Sequence, residues 1–254
     1  MIKTARGEDQ GEAKEMLGLV TVEIFERGSR AEARARYPGG RGERRNVNVS
    51  VAYNVTAPPG TRVTAKSISG DVDVADIRGE LALESVSGTI TVKGAGRIAS
   101  AKSVSGGVRI HGAQMDGSFH ASSVSGRVEL DGVKARRIEL GSVSGPVVLK
   151  GVEAERVDAQ SVSGQVDFSG ALARGGRYAL KSHSGTVRVA VEGDRGFEVD
   201  ASSFSGSVRS DFPLTVRAGE ETSHMRRAVR GVHGDGSAML ELTTFSGNIV
   251  LSRR

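Results

Sequence analysis

One tetrapeptide, Ser-x-Ser-Gly, recurs along this chain with its glycine at Gly70, Gly88, Gly106, Gly126, Gly145, Gly164, Gly185 and Gly206. The spacings are 18, 18, 20, 19, 19, 21 and 21 residues, and a ninth copy, Thr244-Phe245-Ser246-Gly247, follows 41 residues later. A period of this length marks a repeat architecture, in which each unit buries its apolar face against its neighbours. Aligned on the glycine, the positions seven and five residues before it are apolar, from Val63/Ala65 through Ala99/Ala101 and Ile138/Leu140 to Val199/Ala201 and Leu240/Leu242. The positions two and four after it run from Val72/Val74 through Val147/Leu149 to Ile249/Leu251, with Val208/Ser210 the one pair that contains a hydroxyl.

Alternation with period two marks half-buried strands, so each unit reads as strand, corner, strand, turn. The residues left for corners are too few for a crossover helix, which needs a dozen or more. The chain must instead coil about an axis and set each strand beside its counterpart in the next unit. The expected fold is all-β: a single parallel β-helix, or β-solenoid, of about nine to ten rungs with 18–21 residues per rung. Aromatic residues make up only 4% of the chain and Trp is absent, which suits a narrow interior of stacked Val, Ile, Leu and Ala. At the corner, glycine permits positive φ and serine hydroxyls can bond local backbone and form a ladder between rungs. A second glycine six residues on, at Gly94, Gly112, Gly132, Gly151 and Gly170, is expected to close the second strand. The middle residue of the tetrapeptide (Ile68, Val86, Val104, Val124, Val143, Val162, His183, Phe204, Phe245) is expected to pack inside the corner. Pointing outward, it would form an exposed apolar ridge able to bind a partner.

The ends of such a coil carry unpaired strand edges and need covering. Residues 1–18 read as a disordered or loose segment. Alternating Val20, Val22 and Ile24, then Val47, Val49, Val51, Tyr53 and Val55, ending at Pro58-Pro59-Gly60, predict an N-terminal β cap over 19–60. Residues 61–254 form the β-helix, broken by an irregular excursion at 212–239 before a final rung at Leu240–Leu251.

The chain has no Cys, which excludes disulfides, thiolate metal sites and thiol catalysis. The net charge of +5 comes from 35 basic and 30 acidic residues with the signs interspersed, so no nucleic-acid footprint is expected. No apolar run is long enough to span a bilayer. The best polar constellation is Arg109 and His111 on one strand with Glu129 and Asp131 in the same columns of the next. An acid/base pair on a polysaccharide-cleaving face would need such groups, but a cross-strand charge ladder that fixes register is the reading they favour. They are binding candidates; no catalytic residue is assigned. Asp71, Asp73 and Asp76 lack the full spacing of a calcium loop, and His224 and His233 lack a third ligand for zinc, so neither metal nor cofactor is expected. Arg41, Arg44 and Arg45, and Arg226-Arg227 with Arg230, read as solvated loop charge. Gly231-x-x-Gly234-x-Gly236 lacks the βαβ setting of a dinucleotide site. The serines repeat in every rung, whereas a nucleophile would be singular.

The repeated Ser-Val-Ser-Gly units, the opening Val51-x-Tyr53-x-Val55 with Pro59-Gly60, and the ending from Phe212-Pro213-Leu214 to Leu240-x-Leu242-x-Thr244-x-Ser246-Gly247 resemble a bacterial adhesin family, a β-helical domain of unknown function. The resemblance covers about residues 19–254. It implies a parallel β-helix exported to or anchored at the cell envelope, in a family without assigned catalytic residues. Three functions follow as expectations. The first is a non-catalytic envelope binding, adhesion or scaffold module that meets a surface glycan or an envelope protein. The second is a carbohydrate-active enzyme on the outer face, and the third is a self-assembling structural protein. Met1–Gly18 is polar and lacks the apolar core of a secretory signal, so the protein is expected to be cytoplasmic if Met1 is the true start, and at the cell envelope or secreted by the resemblance.

Overall fold

The computed structural model describes residues 2–5, 10–38, 48–215 and 227–254. The chain divides into two compact units, after Ala57. In the first, β1 (Ile2–Ala5) pairs antiparallel with β4 (Val49–Ala52). Between them lie α1 (Gln10–Leu19) and a hairpin of β2 (Thr21–Arg27) and β3 (Arg30–Arg36). The two-residue hairpin loop needs a positive φ to match the strand twist, and Gly28 supplies 56°. Met16, Val20 and Val49 bury one another as a small core. The strand β1 and the helix α1 thus occupy residues that the sequence reads as disordered or a loose helix, and Val47 lies outside the described residues.

The second unit is a parallel β-solenoid. Its first arms are β5 (Val63–Ser67), β7 (Glu80–Ser85), β9 (Arg97–Ser103), β11 (Ser118–Ser123), β13 (Lys134–Ser142), β15 (Glu153–Ser161), β17 (Arg177–Ser182), β19 (Phe197–Ser203) and β22 (Met239–Thr244). Its second arms are β6 (Val72–Ala75), β8 (Ile90–Lys93), β10 (Val108–His111), β12 (Val128–Asp131), β14 (Val147–Lys150), β16 (Val166–Ala171), β18 (Val187–Glu192), β20 (Val208–Ser210) and β23 (Ile249–Arg253). First arms stack in one sheet and second arms in another, and the interior columns fall as the period predicts. One column is shifted by a bulge: Leu81 pairs with Ile98, so Ile98 is buried and Ala99 faces out.

Seven of the nine stacked pairs, β5/β6 to β17/β18, are wound in chain order. The last two pairs are stacked out of order. β22 pairs with β17 on one side and β19 on the other, and β23 likewise lies between β18 and β20. The rung formed last in the chain is therefore inserted beneath the one before it. The interior residues explain this. Leu240, Leu242, Ile249 and Leu251 are all at most 2% exposed in the inserted rung, whereas Val208 and Ser210 of β20 are half-buried at the end of the stack. Placing the larger aliphatic set in the middle removes more apolar surface from water. Within the expected irregular excursion, β21 (Ala228–His233) lies antiparallel on the outer edge of β19. Phe212 closes the interior, edge-on to Phe197 at 5.1 Å. The largest buried ring, Tyr178, accepts from Ala173 N at 2.7 Å and donates to Ala154 O at 2.8 Å; burial pushes its phenol up.

The corner departs from expectation twice. The middle residue of Ser-x-Ser-Gly points outward: Ile68, Val86, Val104, Val124, Val143, Val162, Phe204 and Phe245 are between 43% and 78% exposed, and His183 is exposed too. The inward position belongs to the first serine. Ser142 Oγ accepts from Gly145 N at 3.0 Å in its own rung and donates to Gly126 O at 3.3 Å in the rung below. Ser123, Ser161, Ser182 and Thr244 repeat this two-way bond. A buried hydroxyl with both bonds made costs little, and here it satisfies a turn amide and a carbonyl at once. The corner glycine is also required by closeness and not by φ. A Cβ on Gly126 would overlap the carbonyl of Gly106, and the same holds up the column. Positive φ is found instead at the second glycine, at Gly94, Gly112, Gly132 and Gly151. Asp76, φ 55°, occupies the equivalent place in the first rung, and Gly170 lies within β16.

Candidate functional site

β10 and β12 are adjacent, and their register sets Arg109 beside Glu129 and His111 beside Asp131. The four predicted residues are thus brought together on the outer face of the second-arm sheet. His111 meets the neighbour its column suggests, but Glu129 does not. Glu129 reaches diagonally to Lys150 of β14, Nζ to Oε1 2.9 Å, and lies 3.9 Å from Arg127. The Lys150 ammonium, hydrogen-bonded to it, holds the Glu129 carboxyl below its ordinary range against the opposing effect of burial. His111 Nδ1 lies 3.7 Å from Asp131 Oδ2. A general acid needs a carboxyl pushed the other way; the ion pairs here are cross-strand pairs between neighbouring rungs. Such pairs recur elsewhere, Lys66 with Glu84 at 2.8 Å and Arg137 with Asp158 at 3.2 Å.

The other candidates are dispersed. Asp71 accepts from Thr89 N at 2.7 Å, a turn bond between successive rungs. His233 Nδ1 lies 3.0 Å from Pro213 O and its ring packs on Phe212. Among the described residues no three His, Asp or Glu side chains converge as a metal site. Arg230 pairs with Asp200 at 3.1 Å. Arg41, Arg44, Arg45, Arg226 and His224 lie outside the described residues.

The second feature is the corner ridge. Its outward column runs, in spatial order, Ile68, Val86, Val104, Val124, Val143, Val162, His183, Phe245 and Phe204. With rungs about 4.8 Å apart, eight intervals make a line of about 38 Å. One end is aromatic. His183 and Phe245 stack with centroids 4.8 Å apart, and Phe245 and Phe204 with centroids 4.6 Å apart, both pairs within 7° of parallel. Beside these rings runs a shallow open groove of about 560 Å³, with Gln160, Lys181, Ser202 and Thr243 along its other side. Lys181 is engaged by Glu241 at 2.5 Å, so the groove carries little net charge. These residues stand where the tetrapeptide repeat predicts a corner column, but they face outward instead of inward; the repetition of an apolar residue between two serines is the signal of the ridge.

Stacked parallel rungs with short corners and a continuous aliphatic interior define a β-solenoid repeat domain. The Toastrack DUF4097 family matches residues 43–131 and 117–252. The chain belongs to that family, whose β-solenoid domain is of unknown function. No curated protein matches the chain, and no solved structure does. Among the described residues no helix is long and apolar enough to cross a membrane.

Proposed function

We propose that this chain is a non-catalytic binding or scaffold module of the cell envelope, and that it makes contact through the corner ridge. The observation that carries the reading is the unbroken outward column from Ile68 to Phe204, ending in three stacked rings. A contiguous exposed apolar strip is costly in water and marks an interaction surface. It is mounted on a framework whose every rung is bonded to the next, so the strip is held straight without ordering cost on binding. The partner is a surface glycan or an envelope protein. The ion pairing of Glu129 with Lys150 favours this reading over a carbohydrate-cleaving one.

The test is co-sedimentation of the pure protein with isolated bacterial envelopes. The variant Val124→Ser/Val143→Ser/Phe245→Ser removes apolar surface outside the interior and, with it, the two ring stacks of Phe245, each worth about 1 kcal/mol, so its urea midpoint falls slightly and the protein stays folded. The sedimenting fraction is expected to fall about tenfold, the scale of a lost anchor cluster. Equal sedimentation of parent and variant overturns the assignment.

A further inference from the structure

The out-of-order rung is built so that its neighbours could do without it. Ser182 and Ser203 both pair with Thr244, in the same register. The seventh rung, β17/β18, and the eighth, β19/β20, therefore present matching columns to each other across the inserted ninth. The step from Gly185 to Gly206 is 21 residues, the same as from Gly164 to Gly185, where successive rungs stack directly. The bonds are interchangeable as well. Ser203 Oγ donates to Gly247 O at 2.8 Å, and Thr244 Oγ1 donates to Gly185 O at 3.0 Å. With the ninth rung withdrawn, Ser203 would take Gly185 O, as Ser182 takes Gly164 O. The rings would restack with Phe204 on His183. What holds the observed order is the larger interior of the ninth rung together with β21, which occupies the outer edge of β19 and leaves β22 no place there.

We infer that the solenoid has two stacking orders at this end, with the eighth rung able to close directly onto the seventh and expel β22–β23. Packed elements with two discrete arrangements are the usual basis of a switch. The consequence falls on the groove beside the aromatic rings, because Thr243 and Phe245 of the ninth rung form the middle of its lining. Insertion assembles that groove and expulsion dismantles it. This regulatory meaning rests on the ridge being the contact surface; the exchange itself does not.

The absence of cysteine allows a direct test. Ser184, Ser246 and Ser205 are exposed and occupy one column. In the observed order Ser184 and Ser205 are two layers apart, about 9.6 Å, beyond the roughly 7 Å between Cα atoms that a disulfide can bridge. Ser184→Cys/Ser246→Cys is expected to oxidise fully in the folded protein. Ser184→Cys/Ser205→Cys is expected to oxidise more slowly, during refolding and on incubation, with hydrogen-exchange protection of residues 239–253 in the cross-linked form falling at least about tenfold. His183→Cys/Phe204→Cys reads the same approach one column over. The inference is overturned if neither long pair oxidises under conditions that complete the short one, or if residues 239–253 stay protected after cross-linking. No envelope partner enters the readout, so failure here is separate from failure of the binding reading.

Discussion

Removing one hydroxyl from a corner leaves two backbone groups stranded. Ser142→Ala frees the Gly145 N–H and the Gly126 carbonyl in a buried setting, and the expected loss is about 1–3 kcal/mol by urea unfolding. Ser142→Thr is expected to be close to neutral, because Thr244 makes the same two bonds in its own rung. The neighbouring position behaves in the opposite way. Val143 faces water, so Val143→Thr is expected to change stability by no more than about 0.5 kcal/mol; were it inside the corner, the loss would be several times larger. Gly126→Ala sets a methyl group against a fixed carbonyl in the rung below and is expected to cost about 3 kcal/mol or more.

Strands and their faces carry the pH response. Glu129 is ionised more easily in the folded protein than in the unfolded chain, because Lys150 stabilises its charge. The stabilisation is complete above the unfolded glutamate value of about 4.3 and disappears as pH falls through the lower folded value. Glu129→Gln is accordingly expected to flatten the unfolding midpoint over that acid window and leave its shape at neutral pH unchanged. At the inserted rung, Leu242→Ala is expected to cost about 2–5 kcal/mol, measured by denaturant unfolding. Much of this element-level structure is legible in the sequence. Period-two alternation identifies the strands, and equal offsets from the glycine place Arg109 beside Glu129. The direction of the corner side chains is not legible, because the parity flip inside the tetrapeptide can turn in either Val86 or Ser85, and Ser85 wins by satisfying the Gly88 amide in a buried turn. The partner of Glu129 was not legible because it is not the residue directly opposite, Val148, but Lys150, which reaches it diagonally from two residues along the same adjacent strand. The order of the last rungs was hidden by the repeat itself, since identical columns fit any neighbour. The only written sign was Ser210, a hydroxyl in an interior column, which marks an end position.

For the solenoid as a whole, stability should be close to a sum over rungs and the seams between them. Deleting Arg127–Gly145 joins Gly126 to Pro146 and sets the corner of β11 directly before β14, with the register of both sheets kept. The shortened protein is expected to fold with the same far-UV circular dichroism per residue and a lower urea midpoint; an unfolded product would mean that rungs depend on more than their nearest neighbours. The serine–glycine seam has a further consequence. Because each hydroxyl fastens only the layer beneath it, the distance over which this domain reaches is quantised. It can lengthen or shorten in increments of one layer, about 4.8 Å, by duplication or loss of a single segment, with every remaining joint left as it was.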